Sequence, residues 1–527
     1  MTEKLDVESA ELCGMTLAYH AQERPTKVAV VSNYGERSFD ELNNRANQLV
    51  RALRRAGLKS DDGVAMLLVN RPEFVEVFYA CLRGGFRITP INWHLGGDNA
   101  AYIVANSEAK AFIGDINCAL PARDAREANQ SQLLVSLSVG GDIEGFDSYS
   151  ETISKEEESN ITDPEIGTSM LYTSGTTGRP KGVYRERVPP EAGANLTATR
   201  VEVSANFDPE GDFTLCTGPA YHAAPLAFNI VSPLSRGTGI VMMDKWDAEA
   251  TLSYIEKYRV THTHMVATMF HRLLALPEEV RNKYDLSSLR YILHGAAPCP
   301  VHVKQSMMDW LGPIIFEYYA ATEGGGGFFI TAEEWLKKPG SVGCAPASAD
   351  NKICDDEGNT LSVGGVGTIY FKAPLTRFQY YKDTTKTNDS YLGDYFTLGD
   401  MGYFDSDGYL FLTGRSAETI ISGGVNIYPQ ETDDVLLKHD VVADVCTVGI
   451  PSEEWGEEVK SIVQLKEGVD ENDALAKALI DFVRSHLAAF KAPRTIDFVK
   501  ELPRLPSGKI QRKVVRAPYW AGRDKQI

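Results

Sequence analysis

No stretch of the 527 residues approaches the ~20 consecutive apolar residues that a membrane-spanning helix needs, so none is expected. The eight cysteines, at 13, 81, 118, 216, 299, 344, 354 and 446, include no C-x-x-C pair, which leaves no paired-cysteine metal or redox motif. The N-terminus lacks the apolar region of a secretory signal, so the thiols are read as buried or incidental in a reducing compartment and a cytoplasmic location is expected. Positive charge is also scarce. With 53 Lys and Arg against 72 Asp and Glu, the net charge of −19 argues against a nucleic-acid partner, which would call for a basic surface. There is no internal repeat, and no low-complexity tract beyond a short acidic run.

What is present is an ordinary globular composition, 43% apolar and 24% charged, in a chain long enough for about three or four compact units. Ser38 and Glu41 form a capping-box pattern, after which Leu42, Ala46, Leu49 and Leu53 share one helix face until Gly57. Residues 64–69 read as a buried strand and 73–83 as the next helix, which is α/β packing. Residues 138–164 are acidic and polar and read as a solvated connection. A second α/β unit follows, with a helix at 248–259 and strands at 260–266 and 291–293. From 340 to 412, glycines and aspartates punctuate short runs that suggest a small β unit. Beyond Gly414 the reading is strands at 419–421, 441–450, 459–465 and near 496, with helices at 432–439 and 473–487.

The most distinctive stretch is Tyr172 to Val183, YTSGTTGRPKGV. Gly175, Gly178 and Gly182 allow positive φ and close approach of a ligand to the backbone, so that successive N–H groups can converge on an anion. Thr173, Ser174, Thr176 and Thr177 add hydroxyls and Lys181 a mobile charge. It is not a Walker A loop, because Lys181 lies between Pro180 and Gly182. Three further clusters accompany it: YYAATEG at 318–324, TLGD at 397–400 with Gly414-Arg415, and LPSGK at 505–509.

This set resembles the signature motifs of the adenylate-forming superfamily, which includes acyl-CoA synthetases, and the resemblance covers nearly the whole chain. It implies a large N-terminal domain of stacked α/β subdomains plus a small β unit (1–414), a hinge at 415–417, and a small mobile α+β domain (418–527). It implies ATP, Mg²⁺ and coenzyme A as co-substrates and cofactor. Residue by residue, Thr173 to Gly178 and Lys181 would hold phosphates, Gly295, Ala296, Ala297 and Tyr319 would face the nucleotide, and Asp400 and Arg415 the ribose. Thr322 would contact the α-phosphate region, and Glu323 with Thr176 would hold Mg²⁺. Lys509 would be the catalytic lysine, His222 would lie near the carboxylate and thiol tunnel, and Ser422, Gly423 and Gly424 would admit the pantetheine arm.

Two departures stand out. Ala417 occupies a hinge position where many relatives carry Asp or Lys, and Tyr184-Arg185 replaces a hydroxyl–histidine pair. His262 and His264 share a strand face, but a metal reading is rejected for want of a third ligand. Small side chains at 296, 297, 320, 321 and 324–327, with no acid placed to receive an amino group, favour a bulky or extended apolar acid. The phrases GPAYHAAP, HGAAPCP and SGGVNIYPQE resemble a bacterial branch of acyl-CoA synthetases acting on fatty, aryl-alkyl, and steroid-side-chain or bile acids. A ligase that loads an acyl carrier protein stays open as an alternative, as does a homodimer. A non-catalytic regulator is disfavoured because Lys181, Glu323, Asp400 and Lys509 are all present.

Overall fold

The computed structural model describes residues 5–173, 179–187, 196–374, 377–423, 425–505 and 508–521. Helix α1 (Phe39–Arg55) begins with the capping box read from Ser38 and Glu41 and buries Leu42, Ala46, Leu49 and Leu53 completely. It packs on the helix Pro72–Gly84, which follows the fully buried strand Gly63–Leu67. That strand sits inside a parallel six-stranded sheet, in the order 147–148, 135–139, 109–115, 63–67, 87–90, 168–169.

Residues 138–164 are not the free connection that their charges suggest. Asp147–Ser148 joins the sheet, and Tyr149–Ile153 is a helix whose Tyr149 hydroxyl donates to Glu76 Oε2 at 2.9 Å. The carbonyls of Glu156, Glu157 and Glu158 accept from Gln48, Arg51 and Asn47 of α1. The acidic side chains signal solvent, while the backbone behind them is strapped down; hydropathy reports only the former.

A second sheet of eight strands carries β1 (His262–Met265), β2 (Tyr291–His294), β3 (Ile315–Ala321) and β4 (Gly324–Ile330), ordered β4-β3-β2-β1 and continuing through 213–216, 239–242, 28–32 and 35–38. Its interior pairs are parallel and both edge pairs antiparallel. Helices α2 (Ala267–Leu274) and α3 (Val301–Leu311) follow β1 and β2. Asn70, just past strand Gly63–Leu67, joins the two sheets. Its buried amide donates to the carbonyls of Gly218 (3.0 Å) and Met243 (2.8 Å) and accepts from Ala220 N–H (2.9 Å).

The expected small β unit is an antiparallel sheet in which β5 (Tyr395–Phe404) and β6 (Leu410–Arg415) pair, flanked by 341–343, 367–372 and 352–354, with 391–392 beside β5. After the short turn Ser416–Glu418 the chain enters a separate five-stranded sheet of 425–427, 420–422, 456–465, 442–452 and 495–499. Helix α4 (Pro429–Leu436) starts three residues earlier than read, because Pro429 suits a first helical turn, and Asp473–His486 is the second helix. Among the described residues no helix is long and apolar enough to cross a membrane.

Candidate active site

The arms of the signature loop form a hairpin: strands Leu171–Thr173 and Lys181–Tyr184 are antiparallel, with Thr173 opposite Lys181. Ser174, Gly175, Thr176, Thr177 and Gly178 lie outside the described residues. On the far side of Lys181–Tyr184 runs Gln379–Tyr380. Lys181 Nζ is 3.1 Å from Asp383 Oδ2 and 5.7 Å from the centre of the Tyr380 ring. Asp383 caps the helix 384–389 by accepting from Lys386 N–H; that bond first, and Lys181 after it, hold its carboxyl below the usual range.

Thr322 and Glu323 are the two turn residues of the hairpin between β3 and β4, since Ala321 pairs with Gly324. Gly324 takes a positive φ of 116° there. The Tyr380 hydroxyl donates to Glu323 Oε1 at 2.9 Å, and Arg185 donates to the Glu323 carbonyl. Burial lowers the Arg185 pKa, with Tyr391 and Glu323 opposing it. Sequence reading noted Arg185 only as a departure and missed Tyr380 and Asp383, which belong to no motif.

β2 leads into Gly295, Ala296 and Ala297. A Cβ at Gly295 would meet the Tyr318 ring at 2.5 Å, so only glycine fits, and Ala296 sits at φ 66°. Beneath this turn Glu317 Oε2 lies 2.7 Å from Lys304 Nζ and 3.0 Å from His294 Nε2, all three buried. Burial alone would raise the Glu317 carboxyl, but His294 and Lys304 outweigh it and lower it. β5 and β6 place Asp400 opposite Arg415. Arg415 Nε donates to Asp400 Oδ1 at 2.9 Å and the Tyr319 hydroxyl to Oδ2 at 2.7 Å, so both oxygens are oriented while each keeps a lone pair.

Lys509 belongs to a tight hairpin in which Leu505 N–H donates to the Lys509 carbonyl and Gly508 N–H to the Leu505 carbonyl, both at 2.8 Å. It is half-buried. Burial and then Arg415 lower its pKa, while Glu418 and Asp400 raise it. Tyr319, Asp400 and Arg415 are thus joined in one group, within electrostatic range of Lys509, and Lys181 and Glu323 are linked through Tyr380 in another.

His222 precedes a π-helical turn, Pro225–Val231, of a kind frequent at functional sites. Its Nε2 is buried without a hydrogen-bond partner, and burial followed by the nearby His94 pulls its pKa down to about 4, so the ring is neutral at pH 7. Tyr221 stacks edge-on to Trp93 at 4.6 Å and its hydroxyl is equally unpartnered. Trp93 and His94 gave no signal in the sequence. His262 Nε2 donates to the Ala205 carbonyl at 2.7 Å, and His264 Nε2 pairs with the Tyr318 hydroxyl at 3.2 Å. Ser422 and Gly423 lie on the C-terminal sheet, where Gly423 N–H donates to the Trp455 carbonyl at 2.8 Å and a Cβ at 423 would press on the indole at 2.6 Å. Gly424 lies outside the described residues.

Residues 17–381 match the family model described as AMP-binding enzyme, and residues 431–509 match that of the AMP-binding enzyme C-terminal domain. The chain belongs to the AMP-binding enzyme family. Among curated relatives of this AMP-binding enzyme is the indoleacetate–CoA ligase of Aromatoleum aromaticum, 30% identical over 502 residues and covering 94% of this chain and 96% of that one. The long-chain-fatty-acid–CoA ligase of Mycobacterium tuberculosis is 29% identical over 92% of this chain and 93% of its own. The crystal structure of an anthranilate CoA ligase in complex with anthranoyl-AMP superposes with a TM-score of 0.87 at 25% identity, covering 98% and 99% of the two chains. The AMP-binding enzyme described here is thus an ATP-dependent acid–thiol ligase with the acyl- or aryl-CoA ligase activity of its family.

Proposed function

We propose that this ligase activates a hydrophobic carboxylic acid with ATP and passes the acyl group to coenzyme A. What supports the proposal is the Tyr319–Asp400–Arg415 group, oriented by its own hydrogen bonds, with the half-buried Lys509 within electrostatic range of it although it comes from another part of the chain. In the first step a carboxylate oxygen bonds to the α-phosphorus as the bond from that phosphorus to the pyrophosphate oxygen breaks. Acid and polyphosphate repel each other as they meet, and Lys509 offsets that repulsion and the charge of the transition state. Asp400 accepts from the ribose hydroxyls, oriented by Tyr319 and Arg415. Gly295, Ala296 and Ala297 line the nucleotide, Thr322 meets the α-phosphate, and Thr173 with Lys181 grips the pyrophosphate end together with the loop 174–178.

The Glu323 carboxylate, oriented by Tyr380, suits a hard cation. With Thr176 it would hold Mg²⁺, which supplies charge neutralisation to the phosphates. In the second step the thiol sulfur of coenzyme A bonds to the acyl carbon and AMP leaves with the bonding pair. His222 lies near the carboxylate and the path of the thiol, and its ring, neutral at pH 7, adds no charge there. The thiol arrives along Ser422, Gly423 and Gly424 after residues 418–527 rotate about 415–417. Support for that boundary is the change of sheet across the turn Ser416–Glu418.

The hydrophobic character of the acid is supported by the small uncharged side chains of Ala296, Ala297, Ala320, Ala321 and Gly324 to Gly327. The names of the two curated relatives, an aryl-alkanoate and a long-chain fatty-acid ligase, point the same way. Pyrophosphate release across aliphatic, aryl and steroid acids, with and without coenzyme A, tests the reading. Release with at least one hydrophobic acid and formation of its CoA thioester are expected; adenylation without thioester formation for every acid would overturn the acceptor.

A further inference from the structure

Lys509 is held by bonds among Arg504, Leu505, Gly508 and Ile510 and to the C-terminal sheet. Arg504 and Ile510 bridge the base of its hairpin, and Arg504 donates both to the Gly508 carbonyl and to Asp444 in the strand Val442–Ser452. Lys509 therefore moves with the C-terminal sheet, and where its ammonium ends up depends on what that hairpin rests against.

It rests against Thr268. Gly508 takes a φ of 81°, and a Cβ there would overlap Thr268 Oγ1 and meet Thr268 Cβ and Cγ2 at 3.3 and 3.4 Å. Thr268 is the second residue of α2, and its backbone is fixed at the end of the central strand β1. The contact continues along the same face. One turn further on, His271 senses Asp444, Arg504 and Lys466, and His302 of α3, whose ring lies 6.4 Å from that of His271, senses Lys438 and Lys466. Thr268 thus stands at the front of a face on which the C-terminal unit lies, immediately beside the lysine.

We propose that Thr268 is the docking point of the Lys509 hairpin, a positioning residue that serves adenylation and has no part in thioester formation. The proposal rests on Lys509 being the adenylation lysine. The fit requires glycine at 508 because a side chain there would meet Thr268, and it requires a small residue at 268 because the hairpin backbone lies on top of it. Once the C-terminal unit rotates, the contact is gone and the identity of residue 268 ceases to matter.

Two half-reactions separate these roles: pyrophosphate release from acid and ATP, and thioester formation from supplied acyl-adenylate and coenzyme A. Thr268→Leu is expected to slow the first by at least about tenfold, equivalent to roughly 1.4 kcal/mol, and to leave the second within about twofold, since rotation removes the clash. Thr268→Ser, which keeps the size and hydroxyl, retains the first. Gly508→Ala is expected to lose adenylation, and Thr268→Ala in the same chain to restore part of it by vacating the overlapped volume, a coupling absent for sites that do not touch. Equal loss of both half-reactions in Thr268→Leu, no loss in either, or additivity of Gly508→Ala with Thr268→Ala overturns the docking role. Lys509→Ala run alongside keeps the two readings apart. If it fails to split the half-reactions, the lysine assignment falls; if it splits them and Thr268→Leu does not, only the docking inference falls.

Discussion

The Tyr380 hydroxyl donates to Glu323 Oε1 at 2.9 Å while Lys181 Nζ lies 5.7 Å from the centre of the same ring. One tyrosine therefore connects the arm of the phosphate loop to the carboxylate proposed for Mg²⁺. Tyr380→Phe keeps the ring over Lys181 and removes only the bond to Glu323. A hydrogen bond to a charged group contributes ~1.5–3 kcal/mol, so the Mg²⁺ concentration for half-maximal pyrophosphate release is expected to rise about ten- to a hundredfold. An unchanged Mg²⁺ titration curve would separate Tyr380 from the metal site.

Lys509→Ala is expected to abolish adenylate formation while acyl-adenylate supplied with coenzyme A is still converted to thioester. The residue is held by its hairpin and not by the core, so loss of fold does not accompany loss of activity, and circular dichroism of the variant should match that of the parent.

Lys304 and Glu317 form a buried ion pair below the Gly295–Ala297 turn, with the His294 ring 3.0 Å from the carboxylate. Lys304→Met leaves Glu317 without its cation, and breaking a buried pair from one side costs ~3–5 kcal/mol. Lys304→Met with Glu317→Leu is expected to recover most of that loss in urea unfolding. If the double variant is as unstable as the single, packing and not charge accounts for the effect.

Three buried imidazoles set an acid limit. Burial lowers the pKa of His20 and His262 to about 4 and that of His264 to about 3, against an ordinary value of 6.5. Each stays neutral in the fold and is protonated in the unfolded chain below 6.5, so the unfolded state binds more protons and stability falls as pH drops. The slope is ~1.4 kcal/mol per pH unit for each group between about 6.5 and its folded value. Thermal midpoints measured from pH 7 to 5 should decline accordingly, and a flat profile would show that these rings are solvated.

The parts of the site that could be read from the sequence are those in which neighbours along the chain act together. Ser38 and Glu41 cap α1 as their spacing requires, and of the motif residues Asp400 and Arg415 are joined by a hydrogen bond. Asp400 and Arg415 are facing residues of adjacent antiparallel strands, whereas the sequence brought them together only through the family resemblance and ended the β unit at 412. Tyr380 and Thr268 were not legible, because each meets a partner distant in sequence and carries no local pattern, and Asp383 has a local role as a helix cap that says nothing of its pairing with Lys181. The strapped segment 138–164 was misread for a related reason. Its backbone carbonyls meet Asn47, Gln48 and Arg51, and backbone acceptors leave no trace in composition.

Asn70 has a consequence for how such an enzyme changes its diet. Its amide holds both ends of the segment from Gly218 to Met243, and its oxygen takes the N–H of Ala220, two residues before His222. The stretch that enters the π-helical turn is thereby tied to the opposite sheet and cannot slide to suit a new acid. Asn70 thus keeps in register the backbone that carries Phe228, whose ring packs edge-on against Tyr318 at 4.8 Å.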